Sequence, residues 1–274
     1  MRGWNGFAGA LGLCLLALCV VGFGSAAKAA QCGNTAAGFE TWKRQFAAEA
    51  QQRGIGRRGI QALMATQYSY GTIKADRGQH SFKLSLDQFM QKRGAATIAA
   101  QGRSKKAQNA QLFAAIEQRY GVPAGPLIAI WGLETAFGGY MGNQNTLSAV
   151  ATLAYDCRRP DFFEPHLMAA LQLIDRGWLS PSQRGAMHGE VGHTQFLPAN
   201  IVRYGVDGNG DGRVDLNNRA DALASTANFL RGHGWRPGAG YQPGQPNYSA
   251  IQGWNAASVY QQTIAIVGRQ IDGG

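Results

Sequence analysis

PLIAIWGLETAFGGYMG, residues 126–142, places a single carboxylate, Glu134, in a stretch with no other charged side chain. Wound as an α-helix, it sets Leu127, Ile130, Trp131 and Glu134 at i, i+3, i+4 and i+7, so the acid shares the stripe that faces a core. Ile128, Ala129 and Leu133 make the opposite face apolar as well. A helix apolar all round is a buried helix, and a Glu is almost never buried without a partner or a task. No Lys or Arg lies between Arg119 and Arg158. Desolvation with no cation nearby in sequence raises a carboxyl toward neutrality, the range a general acid needs. The competing reading is a Glu at a helix end, paired or solvated, since perturbed carboxyls also occur in structural pairs.

Working outward, helical periodicity recurs on both sides. Upstream, Phe39, Trp42, Phe46 and Ala50 line one side of a first helix. Ile60, Leu63 and Met64 make a short second one, and residues 84–92 a third, with 68–78 between them read as loop. Residues 107–120 form a helix with Leu112, Phe113, Ile116 and Tyr120 on one face, stopped by Gly121 and Pro123. Downstream, residues 148–155 and 161–176 read as helices, the latter with Pro165 in its first turn. Residues 177–194 read as loop, 198–204 and 220–231 as helices, 236–250 as irregular on account of three prolines and several glycines, and 257–271 as a last helix. There is no run of alternating strands and no internal repeat, so the predicted fold class is mainly α.

The chain has 274 residues and 45% hydrophobic composition, ordinary for a globular protein with a sizeable core. Its start, Arg2 followed by the apolar run from Phe7 to Phe23 and then SAAKAA, reads as a secretory signal cleaved near position 29 or 30. The run is short and glycine-interrupted for a membrane span. Gln31 before Cys32 and Leu18 before Cys19 argue against a lipid anchor. The organisation expected is a signal over 1–29 and one catalytic domain over 30–274. Its lobes are 30–125 (N-terminal helices), 126–206 (core with the acid), 207–221 (loop) and 222–274 (closing helices). Loss of the signal removes Arg2 and Lys28, and the net charge falls from +10 to +8. That balance suits a polyanion, and export argues against nucleic acid. Cys14 and Cys19 leave with the signal, so Cys32 and Cys157 remain to form one disulfide in an oxidising compartment.

In DGNGDGRVDLNNRAD, residues 207–221, oxygen side chains stand at loop positions 1, 3 and 5 (Asp207, Asn209, Asp211), with Gly212 at the sharp-turn position of an EF-hand. Arg213 at position 7 offers its backbone carbonyl. Asn218 stands at position 12 where a bidentate Glu is usual, and Asp221, three residues on, can supply the missing carboxylate. Calcium is the natural ion, with a solvated Asp/Gly turn as the competing reading.

GLETAFGGYMGNQNTLSAVATLA, GEVGHTQFLP, DGNGDGRVDL, ANFLRGHGW and WNAASVY occur in the order seen in B-type lytic murein transglycosylases, which the chain resembles from about residue 39 to 271. The resemblance implies a lysozyme-like α fold with Glu134 as the sole catalytic acid and base. It also implies a groove for peptidoglycan strands bordered by Gln195, Phe196, Asn255 and Tyr260, and an EF-hand-like calcium site at Asp207, Asn209, Asp211 and Asp221. The activity implied is non-hydrolytic cleavage of the MurNAc–GlcNAc bond to 1,6-anhydro ends, by a periplasmic monomer. A muramidase cutting the same bond with water, and a non-catalytic calcium-stabilised wall-binding module, are the rival readings. Phe89, Phe229 and Ala186 depart from groove residues that are polar in some members. Glu190, where the family often has a small apolar residue, is read as an exposed loop charge, the other reading being a second acid near the site. Trp235 and Trp254 are read as core aromatics before sugar-stacking ones, and the histidines are assigned no chemistry.

Overall fold

The computed structural model describes residues 30–78 and 84–273. The expected signal, with Cys14 and Cys19, lies outside the described residues. A short 3-10 turn, Ala36–Gly38, leads into α1 (Phe39–Gln52), whose aromatic stripe is buried as its periodicity predicts. Next come α2 (Arg57–Met64), α3 (Tyr70–Arg77) and α4 (Leu86–Lys92). After them α5 (Ala95–Gln108) and α6 (Ala110–Tyr120) run into α7 (Ala124–Thr135), the helix that carries Glu134. Beyond it lie α8 (Thr146–Tyr155), α9 (Pro160–Arg176), α10 (Pro198–Tyr204), α11 (Arg219–Gly232), α12 (Tyr248–Trp254) and α13 (Ser258–Asp272). The one small sheet among the described residues is antiparallel, β1 (Gln144–Asn145) against β2 (Arg184–Gly185).

Four readings need correction. Residues 68–78 are not loop: α3 forms there, its N-terminus capped by the Ser69 hydroxyl, which accepts from Thr72 N at 3.2 Å. The helix expected over 107–120 is two helices that break at Asn109, and α5, which precedes that break, has no counterpart in the sequence reading. The segment 236–250 is irregular only to Asn247, where α12 begins to wind. Pro165 falls in the second turn of α9, because the helix starts at Pro160.

α7 is the axis of the molecule. Every one of its residues is buried except Glu134. α13 and α5 lie along it, and they come close enough to do so because the contacts are glycines. A Cβ on Gly125 would stand 2.3 Å from the Gly268 carbonyl oxygen, so no larger residue fits at that crossing. Around this centre, α8 and α9 pair, and α9 also receives α2 and α10. The Asp175 carboxylate of α9 accepts from Gly56 N at 2.5 Å and Gly59 N at 2.7 Å, satisfying the free amides that open α2. At the other end of α2, the buried Lys43 ammonium donates to the Met64 and Thr66 carbonyls.

Cys32 and Cys157 are joined, with Cα atoms 5.0 Å apart and a sequence separation of 125. The bridge lies beside the backbone pairing of Gly33 with the end of α8. Close by, Asp76 of α3 is buried and takes the Arg158 and Arg159 guanidinium groups, while Arg77 reaches Asp156 at 2.6 Å. The arginines beside Asp156 and Asp161 thus pair with a carboxylate distant in sequence.

Candidate active site

Glu134 occupies the last turn of α7 at the floor of a cavity of about 450 Å3. Its Oε1 accepts two hydrogen bonds, from Tyr260 Oη at 2.7 Å and Trp254 Nε1 at 3.1 Å. Burial drives its carboxyl above the ordinary range. The Tyr260 and Trp254 hydrogen bonds and the charge of Arg93 act the other way without cancelling that push, and Glu190 adds to it. Sequence separation concealed the cation. Arg93, just beyond α4, donates to the Leu133 carbonyl and lies 6.0 Å from the centre of the Tyr260 ring. An acid raised by burial and lining a cavity, with two donors aimed at one oxygen, is suited to give a proton and then to accommodate the anion it leaves.

The sequence-predicted groove residues divide. Gln195, Phe196 and Asn255 line the cavity with Glu134. Tyr260 stands behind the carboxylate, 5% exposed, and touches it directly. Gln195 has φ +57°, a left-handed conformation uncommon for a side-chain-bearing residue and often kept where function needs it. The turn that enforces it is closed by Val191 and Phe196, each donating to the other's carbonyl, at 2.8 and 3.0 Å. Its side-chain nitrogen donates to Gly192 O at 2.7 Å and Met141 O at 3.5 Å, so Oε1 is the atom through which the amide can meet a ligand. Asn255 Oδ1 accepts from Ala257 N at 2.9 Å, ahead of α13.

Phe229 and Ala186, which depart from the polar family pattern, line the same cavity, and Phe89 packs against Tyr260 at 5.8 Å. Trp254, read first as a core aromatic, both lines the cavity and donates to Glu134, whereas Trp235 is buried and donates to the Gly121 carbonyl, as a core residue should. The reading of Glu190 as an exposed loop charge is wrong: it lines the cavity that holds Glu134, with its side chain 24% exposed. Of the histidines, His166 accepts from Ala199 N and is pushed down to about 4 by burial, and His193 accepts from Trp131 Nε1 behind α7.

In the 207–221 loop, Asp207 Oδ1 accepts from Gly210 and Asp211 N, and Oδ2 from Gly212 N. Those amides hold its carboxyl below the usual range. Asp221 is fully buried and accepts from Gly208, Asn209 and Asp215 N, and burial raises it. Gly212 has φ +86°, as the sharp turn requires. Among the described residues no group of three or more His, Cys, Asp or Glu side chains is arranged as a finished metal cage. The donors are nonetheless all hard oxygens, with a buried anion at the inner end, and this set fits calcium in kind.

Comparison with known proteins adds to this geometry. The family description "Transglycosylase SLT domain" matches residues 38–245. Membrane-bound lytic murein transglycosylase B of Escherichia coli (strain K12) is 36% identical over 139 residues, 47% of this chain; the chain spans 38% of that relative's length. SltB3 from Pseudomonas aeruginosa, solved in complex with NAG-anhNAM-pentapeptide, superposes with a TM-score of 0.80 at 28% identity over 86% of this chain and 80% of that one. The Escherichia coli lytic transglycosylase Slt35 in complex with calcium shares the fold, with a TM-score of 0.76 at 22% identity over 89% and 96% of the two chains.

Proposed function

The chain belongs to the transglycosylase SLT domain family, and from that premise we propose that it is a lytic transglycosylase that cleaves peptidoglycan glycan strands between N-acetylmuramic acid and N-acetylglucosamine. The observation that carries the reading is Glu134, the one α7 residue that is not fully buried, its carboxyl raised by burial and held by Tyr260 and Trp254. Glu134 protonates the glycosidic oxygen as the bond from muramyl C1 to that oxygen breaks. The carboxylate left behind takes the proton of the muramyl C6 hydroxyl while that oxygen bonds to C1 and closes a 1,6-anhydro ring. No water is consumed, and the acid returns to its starting state. Gln195, Phe196 and Asn255 border the strand, polar groups meeting sugar donors and acceptors while the Phe196 and Trp254 rings supply apolar faces.

Mass analysis of fragments released from purified sacculi tests the chemistry. The wild type should release 1,6-anhydro ends, and Glu134→Gln should lose activity by about 10²- to 10⁴-fold while still binding strands. Products heavier by one water would replace this reading by a muramidase, which the presence of Glu190 in the cavity makes the rival to exclude.

The substrate lies outside the cytoplasmic membrane, so a cell-envelope location, with export by residues 1–29, belongs to the same proposal. It is supported by the Cys32–Cys157 bridge. Among the described residues no helix is long and apolar enough to cross a membrane.

Asp207, Asn209, Asp211 and Asp221, with the Arg213 carbonyl, are proposed to hold a structural calcium ion, which would neutralise the buried Asp221 and fix the entry to α11. Calcium should raise the melting temperature, chelator should lower it, and Asp207→Ala with Asp211→Ala should remove that response. A calcium response unchanged in the double variant would refute the site.

A further inference from the structure

Glu190 is a carboxylate for which the one-acid mechanism has no use. It nevertheless sits in the cavity that holds Glu134, and its position is built. His188 N donates to Glu190 Oε2 at 3.1 Å, and His188 Nδ1 lies 3.3 Å from Oε1. The other side of the imidazole faces the buried Asp76 of α3, with Nε2 3.9 Å from Asp76 Oδ1, and that nitrogen is buried with no hydrogen-bond partner. A solvated surface charge needs no such seat. The His188 imidazole, set between the Asp76 and Glu190 carboxylates, has its tautomer and ring orientation fixed by them, and through Nδ1 and its own backbone amide the residue in turn fixes the Glu190 carboxylate. The backbone is fixed too, since Ala186 N donates to Glu190 O at 2.9 Å.

We propose that Glu190 is the second working carboxylate of the groove, an anion seated by His188 that accepts hydrogen bonds from the bound sugar and faces the positive charge that develops as Glu134 protonates the glycosidic oxygen. The proposal rests on the transglycosylase reading and adds to it a residue that forms no covalent bond with substrate, takes no proton and stays ionised throughout. The two environments are opposed in the way this division of labour requires. Burial would raise Glu190, but the His188 imidazole and backbone amides outweigh it and hold it below the ordinary range, whereas Glu134 is held above it. The two are coupled, because the Glu190 charge is one of the causes that raise the Glu134 carboxyl. The remaining charged and titratable groups facing the pair are Arg93 beyond α4, Tyr260 of α13, His166 of α9, and Asp76 of α3 with its arginines.

The test is the pH profile of kcat/KM on sacculi for wild type, Glu190→Gln, Glu190→Asp and Glu134→Gln. Glu190→Gln should lower kcat by about 10- to 100-fold, as loss of a preorganised electrostatic group does. It should also move the basic limb to lower pH, because Glu134 loses the anion that holds its proton. A staple of the 186–196 turn would show instead as a lower melting temperature, with kcat and the limb at wild-type values, and that result overturns the proposal. Should Glu190→Gln fail to fold, Glu190→Asp carries the test: it keeps the anion one methylene farther from the groove, so kcat should fall while the limb moves less. Wild-type kcat in folded Glu190→Asp is again the overturning result. Activity retained in Glu134→Gln would sink the reading beneath; an inactive Glu134→Gln beside a wild-type Glu190→Gln would sink the inference alone.

Discussion

Tyr260 gives Glu134 a hydrogen bond that favours its charged form, in opposition to burial. Tyr260→Phe therefore has a signed consequence. With the donor gone, the carboxyl rises further, so the basic limb of kcat/KM moves to higher pH, opposite to the shift expected from Glu190→Gln. Turnover at the optimum should drop by roughly tenfold, since the transient Glu134 anion loses one charge-assisted hydrogen bond. A limb that stays in place would mean that the Tyr260 hydroxyl does not reach Glu134 in solution. Sequence alone picked out Glu134, because an acid in an uncharged apolar helix contradicts its surroundings. It did not bring in Arg93, Trp254 or the His188–Glu190 pair as parts of that environment. Arg93 lies on another helix end, Trp254 reads as core by composition, and Glu190 is a loop charge until folding seats it against His188.

At the level of elements, legibility followed amphipathicity. α1, α9 and α13 carry broad apolar stripes of large residues and were readable. α5 buries Ala95, Ile98, Ala99 and Gly102, a face made of small side chains that barely registers as hydrophobic. α3 opens on Tyr70, Gly71 and Thr72, weak helix formers, and is fixed by tertiary bonds such as Ser69 N to Thr152 Oγ1 at 2.9 Å. Small residues that weaken a pattern are also what permit close packing, and Gly125 tests this. An alanine there meets the Gly268 carbonyl and the Asp272 carboxylate, within 2.4 Å of both, and must push α13 away from α7. Gly125→Ala should cost about 1–3 kcal/mol in chemical denaturation. Activity should fall as well, because Tyr260 rides on the displaced helix. Wild-type stability would show that the two helices can slide apart freely.

Over the whole molecule, two devices tie the N-terminal helices to the α8–α9 junction: the Cys32–Cys157 bridge and the Asp76 cluster with Arg158 and Arg159. Reduction of the bridge should lower stability by about 2–5 kcal/mol. The arginines hold the Asp76 carboxyl below its unfolded value even though burial alone would raise it. Its contribution is therefore present above the unfolded carboxyl range and is lost as pH falls through the folded value. Asp76→Asn should cost about 2 kcal/mol near neutrality, less than a fully buried pair because the arginines are partly exposed, and the deficit should shrink in acid. A deficit that persists unchanged at low pH would assign the loss to packing. The buried helix α7 bears on synthesis as well. Its covering partner α13 begins only at Ser258, so a nascent chain exposes an apolar segment, charged only at Glu134, until the intervening helices and α13 have been made. In that interval the segment can stick to other chains or to a chaperone, and a chain stopped before residue 258 should accumulate as aggregate whatever the integrity of its active-site residues.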